Sequence, residues 1–142
     1  MPTMRDPKQI LDESLATLPQ AVEPHPPIIL RAEVWPYPEL DRLWVRVECS
    51  PFVAFPNLSF AAFDPEGHVA SAMFVVEARN PYQSLTMHMR QAPQPGAHYR
   101  LEIELSRDEE VLDTRALDFD LVYRDPAQVR KQASGTVASS DG

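Results

Sequence analysis

The chain has 142 residues, of which 21 are Asp or Glu and 13 are Lys or Arg, so its formal net charge at pH 7 is -8. A chain of this length forms one domain with a sizeable core. The negative charge repels phosphate backbones and anionic membrane surfaces, so we expect neither nucleic acid nor a membrane as a partner. Its 15 prolines against 4 glycines favour extended segments and rigid turns over long helices.

Cys49 is the only cysteine, so the sequence offers no internal disulfide and no Cys-x-x-Cys pair for zinc or redox exchange. It falls on the inward phase of a predicted strand, where a thiol packs as a small apolar group and is inert. The N-terminal residues show no apolar core behind a basic start, and no stretch reaches the roughly 18 apolar residues of a membrane span. We therefore expect a cytoplasmic protein.

Residues 1–26 are predicted to form a short helix followed by a proline-rich spacer. Asp6 can cap this helix, Pro7 fits its first position, and Pro19 ends it. One face of the helix is apolar and consists of Ile10, Leu11, Leu15 and Leu18. The β domain is predicted over residues 27–125, and residues 126–142, rich in Ser, Gly, Ala and Gln, are predicted to be a disordered tail.

Between Ile28 and Tyr123 the sequence contains seven runs in which apolar residues recur at every second position, bounded by Pro, Gly, Asn or Asp. This period is typical of β-strands with one buried face. The first run is predicted to bury Ile28, Leu30, Ala32 and Val34, and the second Leu43, Val45, Val47 and Cys49. The seventh run is long and changes phase, which predicts a bulge near residues 114–116. Seven short antiparallel strands without an intervening helix indicate an all-β sandwich.

The fourth run, residues 68–78, is apolar on both faces. Its second face carries Ala72, Phe74 and Val76. A strand of this kind is central in its sheet or is covered from outside, because a monomeric sandwich does not leave such a face wet. We therefore expect the N-terminal segment or a second copy of the chain to cover it.

The sixth run begins at the turn PGAHY, residues 95–99, and continues as a strictly alternating strand. This turn and strand resemble those at the sixth strand of fibronectin type III and other immunoglobulin-like domains. The resemblance implies a seven-stranded antiparallel immunoglobulin-like sandwich over roughly residues 27–124. It also implies that Tyr99 is a structural tyrosine corner, whose hydroxyl bonds backbone a few residues upstream. Trp35 and Trp44 depart from the pattern, because both are on the outward phase of their strands.

No motif in the sequence demands a particular chemistry. No serine lies in a Gly-x-Ser-x-Gly elbow, and 4 glycines leave no glycine-rich phosphate loop. The histidines lack ligand spacing, and in an immunoglobulin-like order the fifth and sixth strands belong to different sheets, which separates His88 from His98. Asp118 and Asp120 are expected to be solvated rather than to bind calcium or to act as paired catalytic carboxylates. We expect no catalytic residue, no metal and no cofactor.

A group of aromatic residues is the most informative deviation from an ordinary sandwich surface. Trp35 and Tyr37 flank a proline, Trp44 points outward from the next strand, and a hairpin brings the three together. Tryptophan and tyrosine favour interfaces because they bury a large area at small entropic cost. The alternative is that the N-terminal segment folds back over them. With Phe74 and Val76, these three residues form the candidate interaction surface.

These observations favour a non-catalytic module for protein-protein interaction or assembly, whose partner is another protein or a second copy of the chain. An alternative is a sandwich that binds a small molecule or a carbohydrate on its exposed aromatic residues. A third hypothesis, an enzyme with an acidic site, requires two carboxylates across a cleft, and the sequence gives no sign of that cleft.

Overall fold

The computed structural model describes residue 23 and residues 25–127, which form seven antiparallel strands in two sheets. The strands are β1 (Ile29–Pro36), β2 (Arg42–Cys49), β3 (Asn57–Phe63), β4 (Val69–Val75), β5 (Tyr82–His88), β6 (His98–Arg107) and β7 (Glu110–Asp120). The predicted all-β sandwich is confirmed. The predicted N-terminal helix and nearly all of the predicted tail lie outside the described residues. No helix in the described part of the chain is long and apolar enough to cross a membrane.

The strands are divided between a three-stranded sheet, in the order β1-β2-β5, and a four-stranded sheet, in the order β4-β3-β6-β7. β1–β2, β3–β4 and β6–β7 are hairpins, and the other three connections cross from one sheet to the other. The fifth and sixth strands lie in different sheets, as the resemblance to immunoglobulin-like domains implied. The fourth strand pairs with β3, whereas constant-type immunoglobulin domains place it beside the fifth. β4 is consequently an edge strand of the larger sheet.

The core lies between the two sheets and is built from alternate residues of each strand. β2, β3 and the first eight residues of β6 alternate strictly between buried and less buried positions, because successive side chains of a strand point to opposite faces. The inward residues predicted for β2 are confirmed, since all of them are at most 3% exposed. The largest fully buried side chains are Tyr99, Phe60, Leu43, Leu58 and Met87.

The predicted inward phase of β1 is wrong at its beginning. Ile29 is buried, whereas Ile28 and Leu30, which were predicted to face the core, are 42% and 46% exposed. A register shift between Ile29 and Arg31 explains the difference, because it inserts one extra residue and turns the strand over. Beyond the shift Val34 is buried as predicted. Residues 28–30 are all apolar, so the sequence does not show which of them face the core.

Side chains of β7 bind the backbone of β1 at this shift. The N–H of Ile29 donates to Oδ2 of Asp113 at 2.8 Å, and Nη2 of Arg115 donates to the carbonyl of Ile29 at 2.7 Å. Ile28 is bound to Ser50 in both directions, since its N–H donates to Oγ and its carbonyl accepts from the N–H. Buried backbone groups that a neighbouring strand does not reach are therefore satisfied across the sandwich.

The predicted bulge in β7 exists, two residues earlier than expected. Ser106 pairs with Val111 and Leu105 pairs with Asp113, so that Leu112 is the extra residue. The position follows from the tight β6–β7 turn, whose two residues 108 and 109 both have positive φ. The bulge turns Asp113 toward Ile29 of the opposite sheet.

Tyr99 joins the β5–β6 connection to the core. Its side chain is 2% exposed, and its ring stacks on Phe119 with 5.9 Å between the ring centroids. Its hydroxyl accepts a hydrogen bond of 3.1 Å from the N–H of Gln94, five residues upstream. Gly96 has a φ of 80, a conformation that favours glycine, and its N–H donates to the carbonyl of Leu121. Two hydrogen bonds, from Gln94 to Tyr99 and from Gly96 to Leu121, thus fix the turn.

Replacing Tyr99 with phenylalanine should lower the free energy of unfolding by about 1 to 3 kcal/mol, because the part-buried N–H of Gln94 loses its acceptor while the ring remains. Urea denaturation followed by circular dichroism measures this difference. Tyr123→Phe is the matched control, since Tyr123 is 49% exposed and its change should stay within about 0.5 kcal/mol. Equal stability of Tyr99→Phe and the unmodified protein would contradict this role of the hydroxyl.

Candidate functional site

The predicted aromatic group lies together at one end of the three-stranded sheet. Trp35 is directly opposite Trp44 in the β1–β2 register, and Tyr37 follows β1. These residues line an open pocket of about 280 Å³, together with Pro36, Pro38, Tyr123 and Pro126. The hairpin therefore brings together the three side chains that were predicted to meet.

Polar neighbours hold the rings of this pocket in place. Tyr37 and Thr86 share a hydrogen bond of 3.1 Å between their hydroxyl groups, and Nε1 of Trp44 donates to Oγ of Ser84 at 2.8 Å. The guanidinium of Arg46 lies 5.1 Å from the centre of the Trp44 ring. Cation–π contacts of this kind stabilise a partly exposed ring without removing it from solvent. The pocket is consequently preformed.

Trp35 corrects the expectation that it offers exposed surface, because it is only 9% exposed. The guanidinium of Arg124 lies 5.0 Å from the centre of its ring, and Tyr123 and Pro126 line the same pocket. Among the described residues, the chain that follows β7 thus contributes to the cover of Trp35. The predicted cover by the N-terminal segment lies almost wholly outside the described residues and stays a prediction. Nε1 of Trp35 is buried and has no acceptor among the described residues.

The residues that sequence reasoning missed are those of this cover. Tyr123 was assigned to the last strand, and Pro126 to the tail. A possible signal was the apolar pair Val122-Tyr123 directly after the last alternating positions, followed by a proline. These residues extend the pocket beyond the candidate aromatic group.

The second candidate surface lies on β4. Phe74 is 59% exposed and Val76 is 66% exposed, and Ala72 is also exposed. Phe74 and Ala72 line a shallow depression of about 330 Å³ on the outer face of the larger sheet, which also includes Arg90. We use the term β4 edge surface for Ala72, Phe74, Val76 and the outward backbone edge of β4. No described residue covers Phe74 or Val76.

The four edge strands differ in how they are protected from pairing with another chain. β1 carries Arg31 and Glu33, β7 carries charges along its length, and β5 has polar residues at most of its positions. β4 has the sequence VASAMFV, whose only polar side chain, Ser71, is 1% exposed and donates to the carbonyl of His88. Proteins usually block edges with charge, proline or a bulge that twists the strand away. β4 has no charge and no proline, and its bulge at Ala70 lies at the beginning of the strand, where the N–H of Arg90 binds the carbonyl of Ala70. The part of the edge without such protection in the described structure is residues 71–75.

His98 lies between the two acidic residues that were predicted to be solvated. Its Nε2 is 3.2 Å from Oδ1 of Asp118, and its Nδ1 is 3.4 Å from Oδ1 of Asp120. Hydrogen bonds to these carboxylates, Asp120 first, raise the pKa of His98. All three side chains are more than half exposed. In the described part of the chain, no group of three or more His, Cys, Asp or Glu residues has an arrangement that could hold a metal ion.

Cys49 is buried, as its phase predicted. Burial raises the pKa of its thiol to about 11, and the nearby carboxylates of Asp113 and Glu48 add to the rise. The thiol is therefore protonated at neutral pH, and a protonated buried thiol is a poor nucleophile.

No known protein family matches the chain, and no curated protein matches it by sequence. Solved structures with a similar fold include a glycosyl hydrolase family 2 member from Bacteroides cellulosilyticus, with a TM-score of 0.55 and 16% identity. They also include the β-glucuronidase of Bifidobacterium dentium, with a TM-score of 0.53 and 16% identity. A putative β-galactosidase from Bacteroides fragilis has a TM-score of 0.50 and 11% identity.

These matches cover 68%, 68% and 66% of this chain, in the same order, but only 15%, 18% and 17% of the glycosidase chains. The chain therefore spans less than a fifth of the length of these enzymes. At this level of identity the likeness shows the fold alone. The fold is an all-β sandwich that is similar to one part of each of these larger glycosidase chains.

Proposed function

We propose that this protein is a non-catalytic module for protein-protein interaction, which binds its partner through the β4 edge surface. The observation that carries the proposal is that β4 is an edge strand with large exposed apolar side chains and no charged residue. An edge of this composition is a template for pairing with another chain.

Strand addition is the binding mode that fits this surface. An extended partner segment can bond to the outward N–H and C=O groups of residues 71–75, which have no neighbouring strand in the described sandwich. The carbonyl of Ala70 is already bound by the N–H of Arg90. The side chains of such a segment would pack beside Phe74 and Val76 and remove part of their surface from water. Removing a large apolar side chain from water stabilises a complex by about 1.5 to 3 kcal/mol when burial is complete.

Three observations support a module without catalysis. The one cysteine is a protonated, buried thiol. His98 and its two carboxylates lie on an exposed strand face, where water screens their charges. The similar structures contain this fold as less than a fifth of a glycosidase chain. A free buried thiol also fits a reducing compartment, and we propose that the protein acts in the cytoplasm.

Photo-cross-linking in cells that produce the protein tests this proposal. A photoreactive phenylalanine analogue at position 74 should give adducts with another polypeptide chain, identified by mass spectrometry. The matched control is the same analogue at Val111, which is 52% exposed but lies on the charged edge strand β7. The proposal fails if position 74 gives no intermolecular adduct, or no more than position 111 gives.

The second candidate function is binding of a carbohydrate or another small molecule in the aromatic pocket. Trp44, Tyr37 and Tyr123 provide faces on which a sugar ring can stack, and Arg42 lies 4.3 Å from the centre of the Tyr37 ring. The unpaired Nε1–H of Trp35 behind this pocket is a donor that a ligand hydroxyl could satisfy after a small movement of the cover.

Tryptophan fluorescence titrated with a panel of glycans tests this second function. The panel should include glucuronides, because the similar structure from Bifidobacterium dentium contains coumarin-3-O-glucuronide. A ligand should quench the fluorescence in a saturable way, and Tyr37→Ala should weaken its binding. Absence of saturable quenching by every member of the panel would dispose of this function.

A further inference from the structure

We propose that the partner of the β4 edge surface is a second copy of this chain, whose own β4 pairs antiparallel with the first about a two-fold axis. This inference rests on the proposed function and names its partner. It would join two four-stranded sheets into one continuous sheet of eight strands. Such an interface is self-complementary, because the same surface is used by both copies.

Charged residues at the two ends of β4 have opposite signs. The N–H of Arg90 donates to the carbonyl of Ala70 at 2.7 Å, which places Arg90 beside the beginning of the strand. Glu77 follows the end of the strand, where its N–H donates to Oδ1 of Asn57 at 2.8 Å. Within the described residues, neither the Arg90 nor the Glu77 side chain forms an ion pair.

An antiparallel pairing of two identical strands places the beginning of one beside the end of the other. Arg90 of one copy then lies near Glu77 of the second, and the two-fold axis repeats the pair. The two residues cannot pair within one chain, because the strand between them is about 20 Å long at roughly 3.3 Å per residue. The charge pattern of the surface is therefore complementary to itself.

The apolar side chains fit the same arrangement. Ala72 and Phe74 alternate small and large on the outer face of β4. A pairing centred on Met73 puts Phe74 of each copy opposite Ala72 of the other, so that each large side chain meets a small one. Phe74 and Val76, the most exposed large apolar residues of the described structure, would each lose part of their exposed surface to the second copy.

The net charge of -8 per chain works against association of two copies. Ion pairs at both ends of the interface offset this repulsion locally, because they act over a few ångströms, whereas the net charge is screened beyond about 10 Å at 0.1 M salt. A reversible dimer, sensitive to each of the two charges, is the expected result.

Charge reversal tests this arrangement by sedimentation velocity over a range of concentrations. Arg90→Glu alone and Glu77→Arg alone should each weaken self-association at least about tenfold, since each places like charges opposite one another twice. An equal mixture of the two variants should associate as the unmodified protein does, because in the mixed dimer every reversed side chain meets its complement. The rescue therefore requires that Arg90 of one copy lies close to Glu77 of the other.

Glu110→Arg is the matched control, because it changes the net charge as Glu77→Arg does but lies at the exposed start of β7. It should leave association unchanged or strengthen it. Circular dichroism confirms that each variant is folded. A protein that sediments as a monomer at all concentrations overturns the inference, and so does a mixture that fails to restore association.

The cross-linking experiment distinguishes a failure of self-pairing from a failure of the proposed function. Adducts of position 74 with a different protein would overturn self-pairing and leave the interaction module in place. Adducts of position 74 with residues 1–22 of the same chain would overturn both, because the surface would then be covered internally. Adducts with a second copy would support both.

Discussion

An open β-sandwich has four edge strands, and each edge presents backbone N–H and C=O groups that no neighbouring strand binds. This constraint accounts for much of the molecule. β1 satisfies it at its bulge, where Asp113 and Arg115 reach across from the other sheet to the backbone of Ile29. β7 carries acidic and basic side chains along its length. On β4 the N–H of Arg90 binds the carbonyl of Ala70 at the beginning of the strand, but within the described residues no strand pairs with the outward edge of residues 71–75. The proposed function follows from that difference.

The sequence predicted most of the fold, because alternation records which face of a strand is buried. It predicted seven strands and the inward phase of β2, both of which are confirmed. The prediction failed where the residues do not alternate, and where the geometry of a turn sets the position of a bulge. The phase of β1 was wrong, because three consecutive apolar residues fit either face. The bulge in β7 was displaced, because its position depends on the tight turn at residues 108 and 109.

The candidate site was predictable to a lesser extent. Trp35 and Trp44 belong to one hairpin, and their proximity was therefore predictable from the sequence. The cover over Trp35 was not predictable, because Arg124 and Pro126 reach it from the far end of the domain, and periodicity contains no information about such contacts. The exposed face of Phe74 was visible from the sequence, since β4 is apolar on both sides. The partner that contacts that face cannot be predicted from the pattern of one strand, because the contact also depends on the partner's surface.

We propose that the outward edge of β4 binds a second polypeptide chain, and specifically a second copy of this chain. Amide hydrogen exchange, measured at low and high protein concentration, tests it most directly, because strand pairing protects backbone amides. We expect exchange of the outward amides within Val69–Val75 to slow as concentration rises, while exchange on the charged edge of β7 does not change. Exchange of β4 amides at one fast rate over the whole concentration range would contradict it.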